Sequence, residues 1–137
     1  MKIKLKIPGY VQPKERPRAT RTGIVYTPRK TADYEKTIQA LYRKEHGDMM
    51  MPAAPIRVYV KVYMAIPKSA SRQDKEDMRL GLILPTKRPD IDNLAKGILD
   101  ALNGIAYPDD KYIAELTVAK FYDDGNGERA EVILCDE

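Results

Sequence analysis

Alternating apolar and polar residues predict most of the β-strands of this chain. Lysine alternates with isoleucine or leucine over residues 2–7, which is the period of a half-buried strand. The clearest alternation covers residues 56–66, where isoleucine, valine or methionine occupies every second position. Two further strands are predicted at residues 111–122 and 130–135, joined as a hairpin by the turn sequence DDGNGE, and a short one at 23–26.

Apolar residues at helical spacing predict two principal helices. The first stripe consists of Tyr34, Ile38, Leu41 and Tyr42. It predicts an amphipathic helix that begins at Thr27-Pro28, a capping hydroxyl followed by a first-turn proline, and ends near His46-Gly47. The second stripe consists of Leu94, Ile98, Ala101 and Leu102. It predicts a helix that follows Pro89 and stops at Asn103-Gly104.

These elements predict a single α+β domain over residues 1–137, with a mixed β-sheet and two principal helices packed on it. The length is sufficient for one hydrophobic core and too short for two. Two segments are expected to lie outside the regular elements. One is a Pro- and Gly-rich basic arm at about residues 8–30, and the other is an exposed charged excursion at about 67–87 with a short helix near 75–82.

Composition and charge narrow the classes of function. The net charge is +4, and residues 1–30 hold nine Lys or Arg against one Glu, which favours a polyanionic partner such as nucleic acid. The chain start alternates lysine with aliphatic residues, so neither a signal peptide nor a membrane span is expected. A lone Cys135 fits a cytoplasmic location, and one His and one Cys are too few for a zinc site. Any metal should therefore be a hard ion such as Mg²⁺.

The sequence RPDIDNLAK, residues 88–96, contains the candidate chemistry. Pro89 favours extended chain before the helix, so Asp90 and Asp92 should project to the same side, with Ile91 pointing into the core. Lys96 follows Asp92 by four residues and should share its helical face. Two interpretations remain open here: a helix cap with a surface ion pair, or a cation site.

A cation site requires a third carboxylate, and the sequence YPDD at 107–110 offers one. If Asp110 begins a strand beside the one leading into Asp90, it would join the cluster. Three crowded carboxylates are tolerable only with a bound cation, and oxygen ligands suit Mg²⁺, with Mn²⁺ as a substitute. Such a site suits metal-assisted phosphodiester hydrolysis, in which Lys96 would stabilise charge on the phosphate or leaving oxygen.

The three motifs RPDIDNLAK, ILDALNG and YPDD resemble the core of RusA-type Holliday junction resolvases, many of them encoded by prophages. The family pattern is D-x-D-N-x-x-K, an L-D-A-L-like helix and a D-D pair, all present here in that order. The resemblance implies a homodimeric, Mg²⁺-dependent endonuclease without a small-molecule cofactor, which nicks opposed strands of four-way DNA junctions in recombination and repair. It also implies that Asp90, Asp92 and Asp110 hold metal and that Lys96 is the essential lysine. Asp109 is the second choice for Asp110, since adjacent residues usually face apart.

Basic residues in the arm and beside the carboxylates are candidate DNA contacts. They are Lys14, Arg16, Arg18, Arg21, Lys87, Arg88 and Lys111. The first three alternate along a segment that two prolines hold extended, so they should form a row of cations suited to successive phosphates. The alternative for this row is a solvated loop with no partner.

Two other functions compete with the resolvase interpretation. Pro89-Asp90 could begin a PD-(D/E)xK nuclease motif, but that motif needs a D/E-x-K triplet, and the lysine here directly follows Asp110. The chain could also be a non-catalytic DNA-binding module whose aspartates only cap and pair. Cleavage of a four-way junction in Mg²⁺ separates the module from an enzyme.

Overall fold

The structure, a computed structural model, describes all 137 residues. The strands are β1 (Lys2–Pro8), β2 (Arg18–Ala19), β3 (Val25–Tyr26), β4 (Ile56–Met64), β5 (Ile113–Tyr122) and β6 (Arg129–Cys135). The helices are α1 (Arg29–His46), α2 (Arg72–Arg79) and α3 (Ile91–Leu102), and a single 3-10 turn covers Asp110–Tyr112. Every strand and both principal helices predicted from periodicity are present, with shifts of a few residues at their ends.

Four strands form the main sheet in the order β1-β6-β4-β5. β4 is antiparallel to β6 and parallel to β5, so the predicted mixed sheet is confirmed. A parallel pair requires a long crossover, which the segment containing α2 and α3 supplies. Alternate residues of β1, β4 and β6 are buried, as expected for strands with one face on the core.

α1 and α3 pack against the sheet and against each other. Ile38 and Tyr42 of α1 and Leu94 and Ile98 of α3 are at most 1% exposed and belong to the main core cluster. The predicted α+β domain with two principal helices is therefore confirmed.

The third helix, α2, buries no residue, as expected for an exposed excursion. It covers residues 72–79 instead of the expected 75–82. The Ser71 side chain accepts a hydrogen bond from the Asp74 amide and so caps the helix at this earlier position.

The predicted hairpin between the last two strands is wrong. β5 and β6 are not neighbours, because β4 lies between them, and the loop after β5 passes over the end of β4. The Asp123 amide donates to the Met64 carbonyl at 2.7 Å, and buried Arg129 holds the Asp124 carboxylate at 3.0 Å. Turn residues determine that the chain reverses, whereas contacts between residues distant in sequence determine which strands pair.

Two smaller expectations also need correction. Thr27 does not cap α1: the N-cap position is Pro28, which has no hydroxyl, and no side chain supplies the hydrogen bond. The arm contains a two-stranded β2-β3 ribbon, of which only the second strand was predicted.

None of the helices is long and apolar enough to cross a bilayer.

Candidate active site

The first turn of α3 presents the two aspartates of RPDIDNLAK. Asp90 occupies the N-cap position with extended backbone (φ −67°, ψ 146°), and Asp92 is the second residue of the helix. The expectation that Ile91 points into the core is wrong, since its side chain is 41% exposed. The helix begins at Ile91, so strand alternation does not govern the direction of its side chain.

Neither aspartate makes the contacts that a purely structural role requires. The Asp90 carboxylate accepts no capping hydrogen bond, and Asp92 forms no ion pair with Lys96. Both carboxylates are exposed, as is the Lys96 ammonium. A cap and an i,i+4 ion pair therefore do not account for these three residues, and their polar atoms are free to bind a ligand.

A groove of about 730 Å³ runs between α3 and β5. Its floor is apolar, and its charged lining residues are Asp92, Lys96, Asp100, Asp110 and Glu115. The first three follow one another at intervals of four, so they form a single charged row along α3. The groove thus brings Asp92, Lys96 and Asp110 to one concave surface.

Asp110 reaches this surface from the 3-10 turn that precedes β5. Partial burial raises the pKa of the Asp110 carboxyl, the nearby Tyr107 hydroxyl lowers it, and the negative charges of Asp100 and Asp109 raise it. The Tyr107 hydroxyl itself donates to the Leu99 carbonyl. The neighbouring Asp109 instead accepts the Lys111 amide at 2.9 Å as the cap of the turn. Asp110 therefore faces the groove, whereas Asp109 is occupied by a local hydrogen bond.

The position of Asp110 differs from the expected one. Asp110 does not begin a strand beside the chain entering Asp90. The segment that leads directly into Asp90 is not a strand, and the strand that follows Asp110, β5, pairs with β4. Asp110 lies close to Asp100, whose charge affects its pKa, and Asp100 is eight helical residues beyond Asp92. At 1.5 Å per residue that separation is about 12 Å along α3, so the α3 carboxylate that influences Asp110 is Asp100 and not Asp92.

The predicted set of three carboxylates does not converge within one chain. Asp90 lies in a separate cleft of about 530 Å³ together with Lys14 and Arg88. No three Asp, Glu, His or Cys side chains are close enough to hold an ion. The type of donor nevertheless fits a hard cation, since Asp90, Asp92 and Asp110 offer only carboxylate oxygens and the first two are unpaired. Mg²⁺ is commonly held by one or two carboxylates together with water and substrate phosphates, so fewer than three close carboxylates are compatible with this ion.

Lys120 of β5 fixes the segment that leads into α3. Its ammonium donates to the Lys87 carbonyl at 2.8 Å and to the Pro89 carbonyl at 3.1 Å. These bonds hold the chain immediately before Asp90 against the sheet, so Lys120 positions the first turn of α3. Sequence periodicity gave no signal for this role, because a lysine on a half-buried strand is ordinarily a solvated residue.

Replacing Lys120 with methionine is expected to lower DNA cleavage about tenfold and to destabilise the fold by about 1–2 kcal/mol, because two carbonyls lose a charged donor. Single-turnover cleavage and thermal unfolding measure the two effects. Lys61→Met is the matched control, since Lys61 is exposed on adjacent β4. Equal cleavage by the two variants would show that Lys120 does not position the site.

The candidate DNA contacts fall into two groups. Arg16, Arg21, Lys87, Arg88 and Lys111 are exposed, and Arg88 lines the same cleft as Asp90. Lys14 and Arg18 are engaged: Lys14 pairs with Glu35 and Asp100, and Arg18 lies 3.5 Å from Glu15. The expected row of three equivalent cations is therefore not formed, because Lys14 turns inward.

Comparison with known proteins relates the chain to a protein family and to a bacterial relative. A family model described as Endodeoxyribonuclease RusA matches residues 8–134, which include the arm, α3 and the turn bearing Asp110. A Bacillus subtilis (strain 168) protein with the name Uncharacterized protein YqaN is 38% identical over 137 residues. The alignment covers 96% of this chain and 94% of that relative, so the similarity extends over the whole domain and is not confined to the motifs.

Proposed function

Because the chain belongs to the RusA endodeoxyribonuclease family, we propose that it is a Mg²⁺-dependent, structure-specific endonuclease that resolves Holliday junctions by paired cleavage. The family expected from the three sequence motifs is thereby confirmed. The observation that carries the proposal is the groove lined by Asp92, Lys96 and Asp110, in which Asp92 and Lys96 make none of the caps and ion pairs of a structural role. We place its activity in the cytoplasm, in DNA recombination and repair.

The candidate residues have distinct parts in the proposed reaction. Asp90, Asp92 and Asp110 would hold Mg²⁺, for which Mn²⁺ is a substitute. When bound, the metal supplies an activated water and neutralises negative charge on the phosphate. Lys96 has no carboxylate partner, so its ammonium is free to stabilise the charge that develops on the phosphate or the leaving oxygen.

The protein is proposed to act as a homodimer, for two reasons. Two opposed nicks in a symmetric junction need two sites related by twofold symmetry. A single chain also places Asp110 beside Asp100, which lies about 12 Å along α3 from Asp92, so a second copy is one source of a further carboxylate. In the dimer, Asp90 and Asp92 of one protomer would share a metal with Asp110 of its partner.

Mixing two inactive variants tests this shared site. Asp92→Asn and Asp110→Asn homodimers are each expected to be inactive. If the carboxylates come from different protomers, a mixed dimer contains one site with both substitutions and one with neither, so nicking of a single strand should return. Continued inactivity of the mixture, with mixed dimers demonstrated by mass, would show that the complete set of carboxylates lies within one chain.

The homodimer itself is tested by light scattering of the unmodified protein. The particle mass should be about twice the 15.6 kDa mass of one chain.

Substrate choice tests the proposed preference for branched DNA. A four-way junction and a linear duplex built from the same sequences are incubated with the protein in Mg²⁺. Nicks are expected in the junction, near the branch point, with the duplex intact. Equal cleavage of the junction and the duplex would support nuclease activity and contradict the proposed specificity for branched DNA.

A further inference from the structure

The basic arm is attached to both principal helices just before Arg16. The Lys14 amide donates to the Asn93 carbonyl of α3 at 3.0 Å. The next amide, of Glu15, donates to the hydroxyl of Thr31 at 3.2 Å, and Thr31 is a buried residue of α1. Two consecutive backbone groups therefore join the arm to α1 and α3, so this part of the arm has a defined position although the segment has no regular structure.

Gly97 allows the arm to approach α3 closely. A Cβ atom at this position would lie 3.2 Å from the Gln12 carbonyl oxygen and 3.5 Å from the Lys14 nitrogen. Glycine inside a helix costs about 0.5–1 kcal/mol relative to alanine, so its presence in the second turn of α3 needs a compensating contact. The passage of the arm over Gly97 is such a contact.

The Lys14 side chain completes the attachment. Its ammonium lies 2.7 Å from Glu35 of α1 and 3.2 Å from Asp100 of α3, and the side chain is only 16% exposed. Burial by itself lowers the pKa of Lys14, but the hydrogen bonds to Glu35 and Asp100 raise it above the usual value, so the group stays charged. An ammonium with two carboxylate partners is not available to a DNA phosphate.

Arg16 lies two residues beyond this attachment and has different surroundings. It is exposed and makes no ion pair. It lines a polar pocket of about 250 Å³ together with Asp92, Asn93 and Lys96. Arg16 and Lys96 thus present two unpaired cations to the space beside Asp92, and a planar guanidinium is suited to bidentate binding of phosphate.

We propose that Lys14 is the anchor of a clamp on α1 and α3, and that this clamp places Arg16 in the active site as a ligand of the substrate phosphate. The inference rests on the proposed nuclease function and assigns the arm a part in it. Lys14 is a positioning residue that acts through Arg16. Gly97 permits the close contact, and Arg16 acts with Lys96 on the DNA phosphate beside Asp92.

A double-mutant cycle tests the clamp. Arg16→Gln is expected to lower the single-turnover cleavage rate at saturating enzyme by about 10²-fold, the usual loss for one preorganised donor. Lys14→Met should lower it about tenfold, because the backbone bonds of the arm remain. Since Lys14 acts through Arg16, the double variant should be no slower than Arg16→Gln alone, whereas independent residues would multiply their effects. Arg16→Lys should restore part of the rate by returning the charge.

Matched controls and a second readout separate the clamp from general loss of structure. Lys36→Met and Arg29→Gln change exposed residues of α1 outside the pocket and should leave the rate unchanged. Amide hydrogen exchange at Glu15 should accelerate in Lys14→Met and in Gly97→Ala, while exchange in the β4 core stays slow. Unchanged exchange at Glu15, or multiplicative rate losses in the cycle, would overturn the clamp. A wild-type protein that cuts no branched DNA would instead overturn the proposed function, and the role of Arg16 with it.

Discussion

Replacing Asp92 with asparagine is expected to lower the rate of junction cleavage in Mg²⁺ by about 10³-fold or more, while junction binding stays unchanged or becomes tighter. The substitution keeps the size of the side chain and removes its charge. Loss of several kcal/mol of transition-state stabilisation corresponds to about tenfold for each 1.4 kcal/mol. Binding should not weaken, because removing a negative charge reduces repulsion of the DNA phosphates. Single-turnover cleavage and a binding titration without divalent metal measure the two effects.

Asp48→Asn is the matched control for Asp92→Asn. Asp48 is an exposed aspartate between α1 and β4, remote in sequence from the groove, and its substitution makes the same change of charge. It should cleave like the unmodified protein. Because Asp92 makes no cap and no ion pair, both variants should also unfold at nearly the same temperature. Full Mg²⁺-dependent cleavage by Asp92→Asn would show that Asp92 is not a metal ligand.

Replacing Lys96 with methionine should lower the single-turnover rate by about 10²–10³-fold and change junction affinity by less than about tenfold. Methionine retains the apolar stem of the side chain and removes the ammonium, so the loss reports the charge and not the packing. A group that stabilises charge formed only in the transition state contributes to the rate more than to binding. Cleavage with saturating enzyme, compared with the dissociation constant, separates the two contributions.

Lys36→Met provides the comparison for Lys96→Met. Lys36 is also an exposed helical lysine without a carboxylate partner, but it lies on α1 outside the groove. An equal small loss in both variants would mean that Lys96 contributes only to the general attraction of DNA. A large loss of affinity with an unchanged rate would assign Lys96 to substrate binding.

Local patterns predicted the elements of this fold well. Strand alternation and helical spacing located β1, β4, β6, α1 and α3 because each buries one face on a common core, and burial leaves a period in the sequence. The order of the strands could not be read in the same way. A turn of Asp and Gly residues specifies a reversal of the chain, but the insertion of β4 between β5 and β6 depends on contacts distant in sequence.

The same distinction applies to the site. The four-residue spacing of Asp92 and Lys96 correctly predicted a shared face. It also extends to Asp100, which is the aspartate of the L-D-A-L motif but was not assigned a role. The position of Asp110 was predicted wrongly, because it depends on how the short connection after α3 folds. In that connection the Gly104 amide donates to the Tyr107 carbonyl at 2.8 Å, and the Tyr107 hydroxyl donates to the Leu99 carbonyl. Lys14 and Lys120 resemble ordinary surface lysines in sequence, and only their partners on distant elements distinguish them.

Metal-triggered cleavage of a labelled junction is the decisive experiment. A four-way junction with a different label on each strand is bound to excess protein under chelating conditions before Mg²⁺ is added. All four strands should be intact before the metal is added, and symmetric nicks should then form in two opposed strands at the branch point. A junction that stays bound with all four strands intact in Mg²⁺ and in Mn²⁺ would contradict the proposed function and identify the chain as a DNA-binding module.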